Sequence, residues 1–591
     1  YFKCNTNRKR KPIVLVICSR INFAMLLIAI SFIYIFSICT AIGVGFYKLF
    51  KIETYKSVEV AFIGLFSISL LASIWAFWGR IHWEFHLFLI LTSCISILFN
   101  KDKVVLTLKH LRYTFKQLSP FLKALLISTA VLILMQCASA PYVIDNESYY
   151  IQTIAVLNDY GFIKGLANLH FFLAQTSGWH ITQSALNLNF VFKNFNDLSG
   201  FCLLLTVLWS FDKLNLYFKN RDDIWDLIFG LFPLANLFFF QFIGTPSQDI
   251  PIYCLTFICI SIFQKSFGLP KTDGFIVLCA LVLFCIFIKP TSFLLIGFPI
   301  VLFINHYKTL STKVIKVLPI ALLTLLIFIG KNSIISGYPL FPLLYLDVIN
   351  ENWKLPIALA EYYIDLTKAY GFLLLPDDYT NLTTLERLYQ WLTLGKLRGI
   401  FNCIAVIFIC ITPFFIRKTT IKKTATLIFV LYVLQLIVLF FTSPLYRLYF
   451  NLLYILLCLV VASVLYKRLT VFKCLLTICI LISGLPLIIN TPINFLANNS
   501  FSTNLSHFNI TEIVMPHSNS KFEDDFKTYK KGNLNFNHPL EIDFFWGTGN
   551  VPFPAVNYEQ LNYFEQNFKV IPQLRTTELK DGFYSKTISN D

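Results

Sequence analysis

The sequence predicts an all-α polytopic membrane protein with about fourteen transmembrane helices. Of the 591 residues, 56% are hydrophobic, only 14% are charged, and 62 are Phe. A helix needs about 20 apolar residues to cross a bilayer, and runs of roughly that length recur along the chain. These runs lack strict polar and apolar alternation, which favours helices over a transmembrane barrel. The predicted spans are 21–46, 59–78, 83–99, 122–140, 198–217, 224–243, 250–264, 274–289, 292–306, 316–331, 400–416, 424–442, 450–466 and 472–490.

The basic residues orient these spans. The formal net charge is +17, and most Lys and Arg residues lie in short segments between spans, which is typical of cytoplasmic loops and requires no nucleic-acid partner. Four such loops are consistent with one topology. Their basic residues are Lys101, Lys103, Lys109, Arg112 and Lys116 in the first loop, Lys308, Lys313 and Lys316 in the second, Arg417, Lys418, Lys422 and Lys423 in the third, and Lys467, Arg468 and Lys473 in the fourth. The opposite, extracytoplasmic side then holds residues 141–197, 244–249, 332–399, 443–449 and 491–591.

One basic segment disagrees with this topology. The run from Arg8 to Lys11 would also lie outside if the first span is a single crossing. Since the chain starts at Tyr1, we expect either an upstream segment or an N-terminal end that is not a simple crossing.

Three regions follow from this layout. Residues 1–120 form an N-terminal transmembrane bundle, and residues 121–490 form a core that carries the large outer loops 141–197 and 332–399. Residues 491–591 are polar, aromatic and rich in turn residues, which predicts a small ordered α+β domain outside the membrane. The 15 Cys residues include no CxxC pair and none lies in the outer loops, so neither a disulfide framework nor a zinc site is supported.

The first outer loop is richest in candidate chemistry. Asp145 and Glu147 follow directly after the fourth predicted span, and carboxylates at a membrane interface need an explanation. Transfer of a sugar from a polyprenyl phosphate needs a base for the acceptor hydroxyl, and cationic groups or a divalent metal for the departing phosphate. Asp145 is therefore the candidate base, and Glu147 is the second catalytic carboxylate. The alternative is that Asp145 only caps a surface helix.

Other side chains of this loop are candidates for substrate binding. The apolar spacing predicts short helices on the membrane surface, with the polar groups facing a cleft above it. The side chains that face lipid are either Leu157, Tyr160 and Phe162 or Ile151, Ile154 and Ala155. For a lone histidine, the alternative to a functional role is a structural hydrogen bond within the loop. For a tryptophan, the alternative is an ordinary aromatic residue at the membrane interface. The predicted contacts with substrate come from His170, Gln175 and Trp179.

Polar residues at the same face follow later spans. Asp249 is a candidate substrate or metal ligand, or it belongs to an ordinary turn into the next helix. Lys289 interrupts an apolar stretch and suits a lipid phosphate, or it reaches towards the interface from a helix end. Arg447 breaks the positive-inside trend, and its planar fork suits a phosphate, with a structural ion pair to the first outer loop as the alternative. Tyr338, in the turn after span 316–331, is expected to wall the same cleft.

A divalent cation, Mg or Mn, is the cofactor that this pattern suggests. Its ligands would be Asp145, Glu147 and Asp249. The chain has no glycine-rich phosphate loop of either nucleotide-binding pattern, so a soluble nucleotide is not expected as a co-substrate.

The order of these motifs resembles a known family. The residues that carry the resemblance are Asp145 with Glu147, Gly165–His170, Pro246–Asp249, Ile288–Lys289, Asn332–Pro342, Trp353–Pro356 and Pro444–Arg447. They look like an uncharacterised family of bacterial envelope membrane proteins that is often found with polysaccharide genes, over most of residues 120–490. More distantly, the chain resembles the GT-C glycosyltransferases, which carry an acidic residue and surface helices in the first outer loop. This likeness implies a GT-C-like core and a base or metal ligand at Asp145, with the four preceding spans as an addition.

Two classes of function are open. The first is a glycosyltransferase that moves a sugar from a polyprenyl-phosphate donor to a glycan, lipid or protein acceptor outside the bacterial cytoplasmic membrane. Its partners would be membrane lipids, that donor and that acceptor, with other membrane proteins as further candidates. The second is a non-catalytic lipid or glycan transporter, or an accessory subunit of an envelope membrane complex. Transporters tend to bind substrate at the midplane, whereas this chain concentrates polar groups at one face, which favours the first class.

Overall fold

The computed structural model describes residues 24–192, 196–221, 223–268, 272–418, 422–488, 508–509, 512 and 515–588. The basic run at 8–11 therefore lies outside the described residues. Within the described part, the chain is mainly helical, and eleven helices are long and apolar enough to cross a membrane. The prediction of a multi-pass helical membrane protein is confirmed at this level.

Four long helices come first in the described part of the chain. A Cβ added to Gly43 would lie 2.1 Å from the carbonyl oxygen of Val60, so the first two helices are in close contact. A Cβ on Gly64 would likewise lie 2.0 Å from the carbonyl oxygen of Cys39. Small residues permit such close packing between membrane helices. The bounds are α1 (Ala24–Phe50), α2 (Ser57–Ala76), α3 (Trp83–Gln117) and α4 (Pro120–Ala138).

The first outer loop forms two short helices, α5 (Ile151–Asp159) and α6 (Gly178–Leu186). We expected one of two apolar sets of this loop to face lipid. Leu157 of the first set and Ile151 and Ile154 of the second are buried inside the protein, so the expectation is wrong for these residues. Leu157 packs into the core of the membrane helices, while Val156 packs into a second core formed with the outer loops and the C-terminal region. The loop is therefore covered on both sides.

Seven further helices follow in the described part of the core. Predicted span 224–243 is divided at Gly230 and Pro233 into two short helices and a 3₁₀ turn, because proline cannot continue the hydrogen-bond ladder of a helix. Pro290 likewise begins a 3₁₀ segment directly after Lys289. The bounds are α7 (Leu198–Asn220), α8 (Ile224–Gly230), α9 (Asn236–Phe240), α10 (Asp249–Gly268), α11 (Thr272–Ile288), α12 (Gly297–Asn305) and α13 (Tyr307–Ser336).

The second outer loop carries three helices and supports the turn before Arg447. The indole of Trp391 donates a hydrogen bond of 2.9 Å to the carbonyl oxygen of Pro444. Gly371 lies against the same proline, since a Cβ there would come within 2.3 Å of its ring. The helices of this loop are α14 (Ile357–Tyr370), α15 (Pro376–Asn381) and α16 (Thr384–Leu392). Four helices of membrane length complete the core, namely α17 (Lys396–Lys418), α18 (Lys422–Thr442), α19 (Tyr446–Leu465) and α20 (Leu469–Ile488).

Two antiparallel hairpins and one helix form the C-terminal region. A small ordered region with strands was predicted here and is observed over residues 515–588. Its core includes Phe536 and Phe583 and is continuous with Tyr149 of the first outer loop and Tyr338 of the second. One apolar core thus holds the C-terminal region against both outer loops. Its elements are β1 (Phe526–Lys531) paired with β2 (Leu534–Pro539), α21 (Tyr558–Phe568), and β3 (Val570–Leu574) paired with β4 (Phe583–Thr587).

Candidate functional site

Four charged side chains from distant parts of the chain meet at one point. Arg447 Nη1 donates to Asp145 Oδ2 at 2.6 Å, and the same nitrogen lies 4.0 Å from an oxygen of Asp249. Lys289 Nζ binds the other oxygen of Asp249. The sequence predicted these residues at one membrane face, and the structure brings them into contact. We call the group of Asp145, Asp249, Lys289 and Arg447 the charge cluster.

Each member of the charge cluster stands at the end of a helix. Asp145 immediately precedes a π-helical turn at Asn146–Tyr150, and Asp249 is the first residue of α10. Lys289 follows α11, and Arg447 is the second residue of α19. Helix ends of a membrane bundle lie near the interface, where charged groups can reach water. The bundle therefore collects these four side chains without placing any of them at the middle of a helix.

Asp145 does not cap a helix. Its backbone is helical, with φ −58° and ψ −23°, and its side chain makes no capping hydrogen bond to the π-helical turn. Among the described residues, none donates a hydrogen bond to Oδ1, and the side chain keeps 21% of its surface exposed. Asp145 therefore presents one free carboxylate oxygen beside the guanidinium of Arg447.

Arg447 uses one of its side-chain nitrogens within the charge cluster. Nη1 is the nitrogen that donates to Asp145, and the side chain is 24% exposed. The backbone of Arg447 is held by Tyr253, whose hydroxyl donates to its carbonyl oxygen at 2.9 Å. The other N–H groups make no hydrogen bond to the described residues and have the fork geometry that binds two phosphate oxygens. The structural ion pair is thus present, and it leaves the remaining N–H groups of the guanidinium open to a further acceptor.

Asp249 and Lys289 form the more enclosed half of the charge cluster. The carboxylate of Asp249 is buried, and Ser247 Oγ donates to it at 3.2 Å. The N–H of Asp249 donates back to that hydroxyl at 3.3 Å, so the turn predicted as an alternative is also present. Lys289 binds one oxygen of Asp249, and the other oxygen faces the guanidinium of Arg447, so Asp249 lies between the two cations.

Two tyrosines border the charge cluster. Burial raises the pKa of the Tyr149 and Tyr150 phenols, and the negative charge of Asp145 raises both further. Their rings lie 4.7 Å apart between centroids. Both phenols therefore stay neutral and can donate hydrogen bonds, but they cannot serve as bases near neutral pH.

Glu147 points away from the charge cluster. Its carboxylate accepts hydrogen bonds from Ser520 Oγ at 2.7 Å and from the N–H of Lys521 at 3.1 Å, and its carbonyl oxygen accepts one from the N–H of Thr548 at 2.8 Å. Residues two apart on a helix point roughly 200° apart, so Asp145 and Glu147 face different sides. Burial raises the pKa of the Glu147 carboxyl, although its hydrogen bonds oppose this shift. Glu147 thus joins the C-terminal region to the first outer loop.

Gln175 links the first outer loop to the second. Tyr149 Oη donates to Gln175 Oε1 at 3.0 Å, and Gln175 Nε2 donates to the hydroxyl of Tyr363 in α14. Burial raises the pKa of Tyr363 to about 12, so this phenol is neutral. The sequence did not point to Tyr363, because one tyrosine in a chain so rich in aromatic residues gives no signal without its contact.

The two histidines of the first outer loop are fully buried outside the charge cluster. His170 Nε2 lies 3.3 Å from the carbonyl oxygen of Trp546, and His180 Nδ1 accepts from the N–H of Ser177 at 3.3 Å. Burial lowers the pKa of His170 to about 4 and that of His180 to about 3. Both rings are therefore neutral near pH 7. The loop hydrogen bond expected for a lone histidine is present at His180, whose ring lies 4.9 Å from that of Tyr150.

Trp179 and Tyr338 are also buried away from the charge cluster. The indole of Trp179 donates to Ser199 Oγ at 3.4 Å, and the hydroxyl of Tyr338 donates to the carbonyl oxygen of Leu355 at 3.1 Å. Each side chain therefore has an internal partner, and neither borders the exposed edge of Asp145.

A divalent metal does not fit the charge cluster as these side chains are arranged. Of the three predicted ligands, Glu147 faces elsewhere, while Asp145 and Asp249 are each already paired with a cation. Mg²⁺ and Mn²⁺ need several oxygen ligands, which these cations displace. Exposed acidic groups are common without an ion. One such group in the C-terminal region has carboxylate oxygens within 4.8 Å of one another and consists of Glu523, Asp525 and Glu541.

The fold and the site define a class of protein: a multi-pass helical membrane protein whose outer loops and ordered C-terminal region surround a partly open charge cluster. The chain belongs to the family described as "Domain of unknown function (DUF8201)", whose sequence profile matches residues 25–456. The match includes every member of the charge cluster and ends before the C-terminal region. No curated protein and no solved structure matches the chain.

Proposed function

We propose that the protein is a glycosyltransferase of the GT-C kind, which moves a sugar from a polyprenyl phosphate to an acceptor at the outer face of a bacterial cytoplasmic membrane. The observation that carries this proposal is the pairing of Asp145 with Arg447, in which a free carboxylate oxygen stands beside free guanidinium donors. The first group can take a proton and the second can hold a phosphate. Transfer from a lipid phosphate uses both.

The position of the charge cluster suits a substrate that lies partly in the bilayer. Its members stand at the ends of apolar helices, so a phosphate can reach them while its polyprenyl tail stays in the hydrocarbon. Phe293 and Ile296 are exposed in the 3₁₀ segment that follows Lys289. These side chains offer an apolar surface to the tail next to the charge cluster.

The reaction joins an acceptor oxygen to the anomeric carbon of the sugar and breaks the bond between that carbon and the phosphate oxygen. The proton of the acceptor hydroxyl passes to Asp145 Oδ1. The electron pair of the broken bond leaves with the polyprenyl phosphate, and Arg447 neutralises the negative charge that develops there. A hydroxyl of a glycan, a lipid or a protein is an equivalent acceptor for this chemistry.

Arg447 couples donor binding to the base. In the absence of the sugar donor, Arg447 Nη1 donates its hydrogen bond to Oδ2 of Asp145. A phosphate competes for that nitrogen, because charge-assisted hydrogen bonds to phosphate are strong. When the guanidinium turns to the phosphate, both oxygens of Asp145 become free to accept a proton. Asp249, 4.0 Å from Nη1, keeps the guanidinium near the site during this exchange.

The transporter alternative has less support. A transporter needs polar groups along the path of its substrate. Helix α10 runs inward from Asp249 in the charge cluster, and the side chains that it buries along the way are mainly apolar, with Thr256 and Ser261 among the few hydroxyls. This helix supplies a polar group at the interface and little beyond it, which favours chemistry at the interface.

Transfer by the purified full-length protein in proteoliposomes tests the proposal. The donors are a panel of polyprenyl-phosphate sugars with a radiolabel in the sugar, and the acceptors are envelope glycans and lipids extracted from the host. We expect Asp145→Asn to lower the transfer rate by about 10²-fold or more, as removal of a general base does. Unchanged transfer in a folded, membrane-inserted Asp145→Asn protein would refute the assigned base.

Asp365→Asn is the matched control. It removes a carboxylate of the second outer loop that pairs with Lys368 at 3.2 Å on the protein surface. We expect transfer by this variant to equal that of the wild type. Equal losses in both variants would instead contradict a specific role for Asp145.

A further inference from the structure

Helix α3 consists of two parts that meet at a bend. Asn100 has φ −133° and ψ 28°, which are not helical values. Just before the bend, Ser96 lies against the last turns of α1, because a Cβ added to Gly45 would come within 3.1 Å of Ser96 Oγ and α1 ends at Phe50. The bend therefore lies level with the end of α1. We call the second part of α3, residues 101–117, the basic segment.

The basic segment lies at the end of the helix bundle opposite the charge cluster. Helix α4 leads from Pro120 to Ala138 and is followed by Asp145. A helix of its 19 residues is about 28 Å long, so its start at Pro120 marks the opposite end, which we call the far end. Gln117, the last residue of α3, is held there, since its carbonyl oxygen accepts from Nδ2 of Asn215 in α7 at 3.0 Å.

One face of the basic segment rests on the far end along its whole length. Lys103 Nζ lies 5.3 Å from the centre of the Tyr55 ring, which comes just before α2. His110 Nδ1 lies 3.1 Å from Oγ of Ser57, the first residue of α2. Lys103, His110 and Gln117 are seven residues apart, which places them on one helix face. The basic segment therefore runs across the far end and does not project from it.

The opposite side of the basic segment carries unpaired positive charge. The segment has five Lys or Arg residues against one carboxylate, that of Asp102. Four of the five are exposed, and no carboxylate of the described residues lies within 4.0 Å of their charged groups. These four residues are Lys101, Lys109, Arg112 and Lys116.

Two carboxylates of neighbouring helices lie on the bundle side of the basic segment. Glu59 of α2 and Asp212 of α7 share a cleft with His110 and Thr114, which belong to the face that rests on the far end. Glu59 is also paired with Lys56 at 2.7 Å. The charge of the outward side is therefore that of the basic segment itself.

Exposed apolar side chains border this charge on both sides. Leu108 and Phe115 form one row, and Leu106 and Tyr113 form the other. The Phe115 ring centre lies 5.9 Å from Nζ of Lys123 in the first turn of α4, so the first row lies level with the start of a helix of membrane length. A charged helix with apolar flanks is typical of segments that lie in the bilayer surface. Charge alone fits an acidic partner in solution equally well, but apolar rows at the level of the bilayer fit lipid.

We infer that the basic segment lies in the surface of the bilayer at the far end and binds the anionic head groups of phospholipids there. Leu108 and Phe115 enter the acyl region, while Lys101 and Arg112 reach the lipid phosphates. The long apolar stems of Lys and Arg allow a charged group to reach the head groups from such a position. The inference does not depend on the proposed transfer reaction, since it concerns the opposite end of the bundle.

Photocrosslinking from position 108 tests the inference. p-Benzoylphenylalanine takes the place of Leu108 in the full-length protein, which is reconstituted in phosphatidylcholine vesicles with a minor fraction of phosphatidylglycerol. One lipid or the other carries a label, and the crosslinked amount of each is divided by its share of the bilayer. We expect phosphatidylglycerol to be enriched about fivefold or more, because each Lys or Arg beside an anionic surface strengthens the attraction by about that factor.

The same probe at Leu91 provides the reference. Leu91 is exposed in the part of α3 that precedes the bend, within a helix of membrane length. We expect it to crosslink both lipids in proportion to their share of the bilayer. A higher enrichment at position 108 than at position 91 then assigns the preference for anionic lipid to the basic segment.

Two matched double variants identify the charges responsible. Lys101→Gln/Arg112→Gln removes the two charges on the side of Leu108, since Arg112 lies four residues and Lys101 seven residues from it. The enrichment at position 108 should fall about fivefold or more. Lys308→Gln/Arg417→Gln removes two exposed basic residues at the ends of α13 and α17 and should leave the enrichment unchanged. Arg112→Gln alone replaces the first double variant if that variant does not fold, with a smaller loss expected.

Three results would overturn the inference. In the first, the probe at position 108 crosslinks neither lipid, which is the result expected if the basic segment faces an acidic partner in solution. In the second, the enrichment at position 108 equals that at position 91. In the third, folded Lys101→Gln/Arg112→Gln, or Arg112→Gln in its place, keeps the wild-type enrichment.

Discussion

Arg447 donates a hydrogen bond of 2.6 Å to Asp145, which lies 302 positions earlier in the chain. This contact joins the start of α19 to the segment that follows α4. Asp249 lies 4.0 Å from the same nitrogen of Arg447 and brings in the start of α10. Three separate segments therefore depend on one guanidinium for their arrangement at this end of the helix bundle.

A double-mutant cycle should measure this dependence. For Asp145→Asn, Arg447→Met and the double variant, we expect a coupling of about 2 kcal/mol in the free energy of unfolding, because the pair is charge-assisted and mostly buried. Arg447→Met should cost more than Asp145→Asn, since Arg447 keeps Asp249 nearby when Asp145 is replaced. Unfolding in mixed micelles is the measurement.

The exposed pair of Asp365 and Lys368 provides the comparison for that cycle. A surface pair three residues apart on a helix contributes about 0.5 kcal/mol or less. A coupling between Asp145 and Arg447 no larger than that of the surface pair would contradict the structural role of the contact.

Glu147 should prove to be an attachment point for the C-terminal region. Glu147→Ala leaves the hydroxyl of Ser520 and the N–H of Lys521 without their acceptor, which should cost about 2 kcal/mol or more. Glu147→Gln keeps an acceptor oxygen and should keep both the fold and transfer. Hydrogen exchange at residues 519–522 reports the attachment, and loss of transfer in folded Glu147→Gln would restore a catalytic role.

The protonation of Glu147 adds a pH dependence to this attachment. Because the pKa of Glu147 is raised in the folded protein, the folded state binds more protons than the unfolded state just above the ordinary pKa of a glutamate. Stability therefore falls as pH rises through that window. Glu147→Gln cannot titrate, so the free energy of unfolding of this variant should change less with pH in that window. A pH dependence equal to that of the wild type would contradict the burial of the Glu147 carboxyl.

His170 and His180 should have the opposite effect on stability. Their folded pKa values of about 4 and about 3 lie below the ordinary value of 6.5. The unfolded state therefore binds more protons below pH 6.5, and stability is lost as pH falls from 6.5 towards 4. Each histidine contributes about 1.4 kcal/mol per pH unit in this window. Unfolding midpoints from pH 7 to pH 4.5 should decline less steeply in His180→Gln, and equal declines would contradict its burial as a neutral ring.

The convergence of the charge cluster was predictable because topology restricts it. Positive-inside loops place the segments before Asp145, Asp249 and Arg447 at one face, and helix ends at one face of a bundle lie within reach of each other. Their direct contact is then a matter of side-chain length. Which residues form ion pairs was not predictable, because Arg447 could have paired with either Asp145 or Glu147.

The role of Glu147 shows where sequence reasoning fails. Two carboxylates two positions apart look like a pair in the sequence, but a helical backbone turns them to different sides. The partners of Glu147, Ser520 and Thr548, lie more than 370 positions away and in a region without a recognisable motif. The burial of α5 and α6 was missed for the same reason, because the C-terminal region that covers them has no periodic pattern pointing to it.

The affinity of the full-length protein for a polyprenyl phosphate tests the central claim most directly. It is measured in nanodiscs of neutral lipid, with the parent protein as the reference. We expect Arg447→Met to weaken the Kd about tenfold or more, and Asp145→Asn to bind at least as tightly as the parent, because the competitor for Nη1 is gone. Arg447→Met binding as tightly as the parent, or Asp145→Asn binding as weakly as Arg447→Met, would contradict a shared site for phosphate and base.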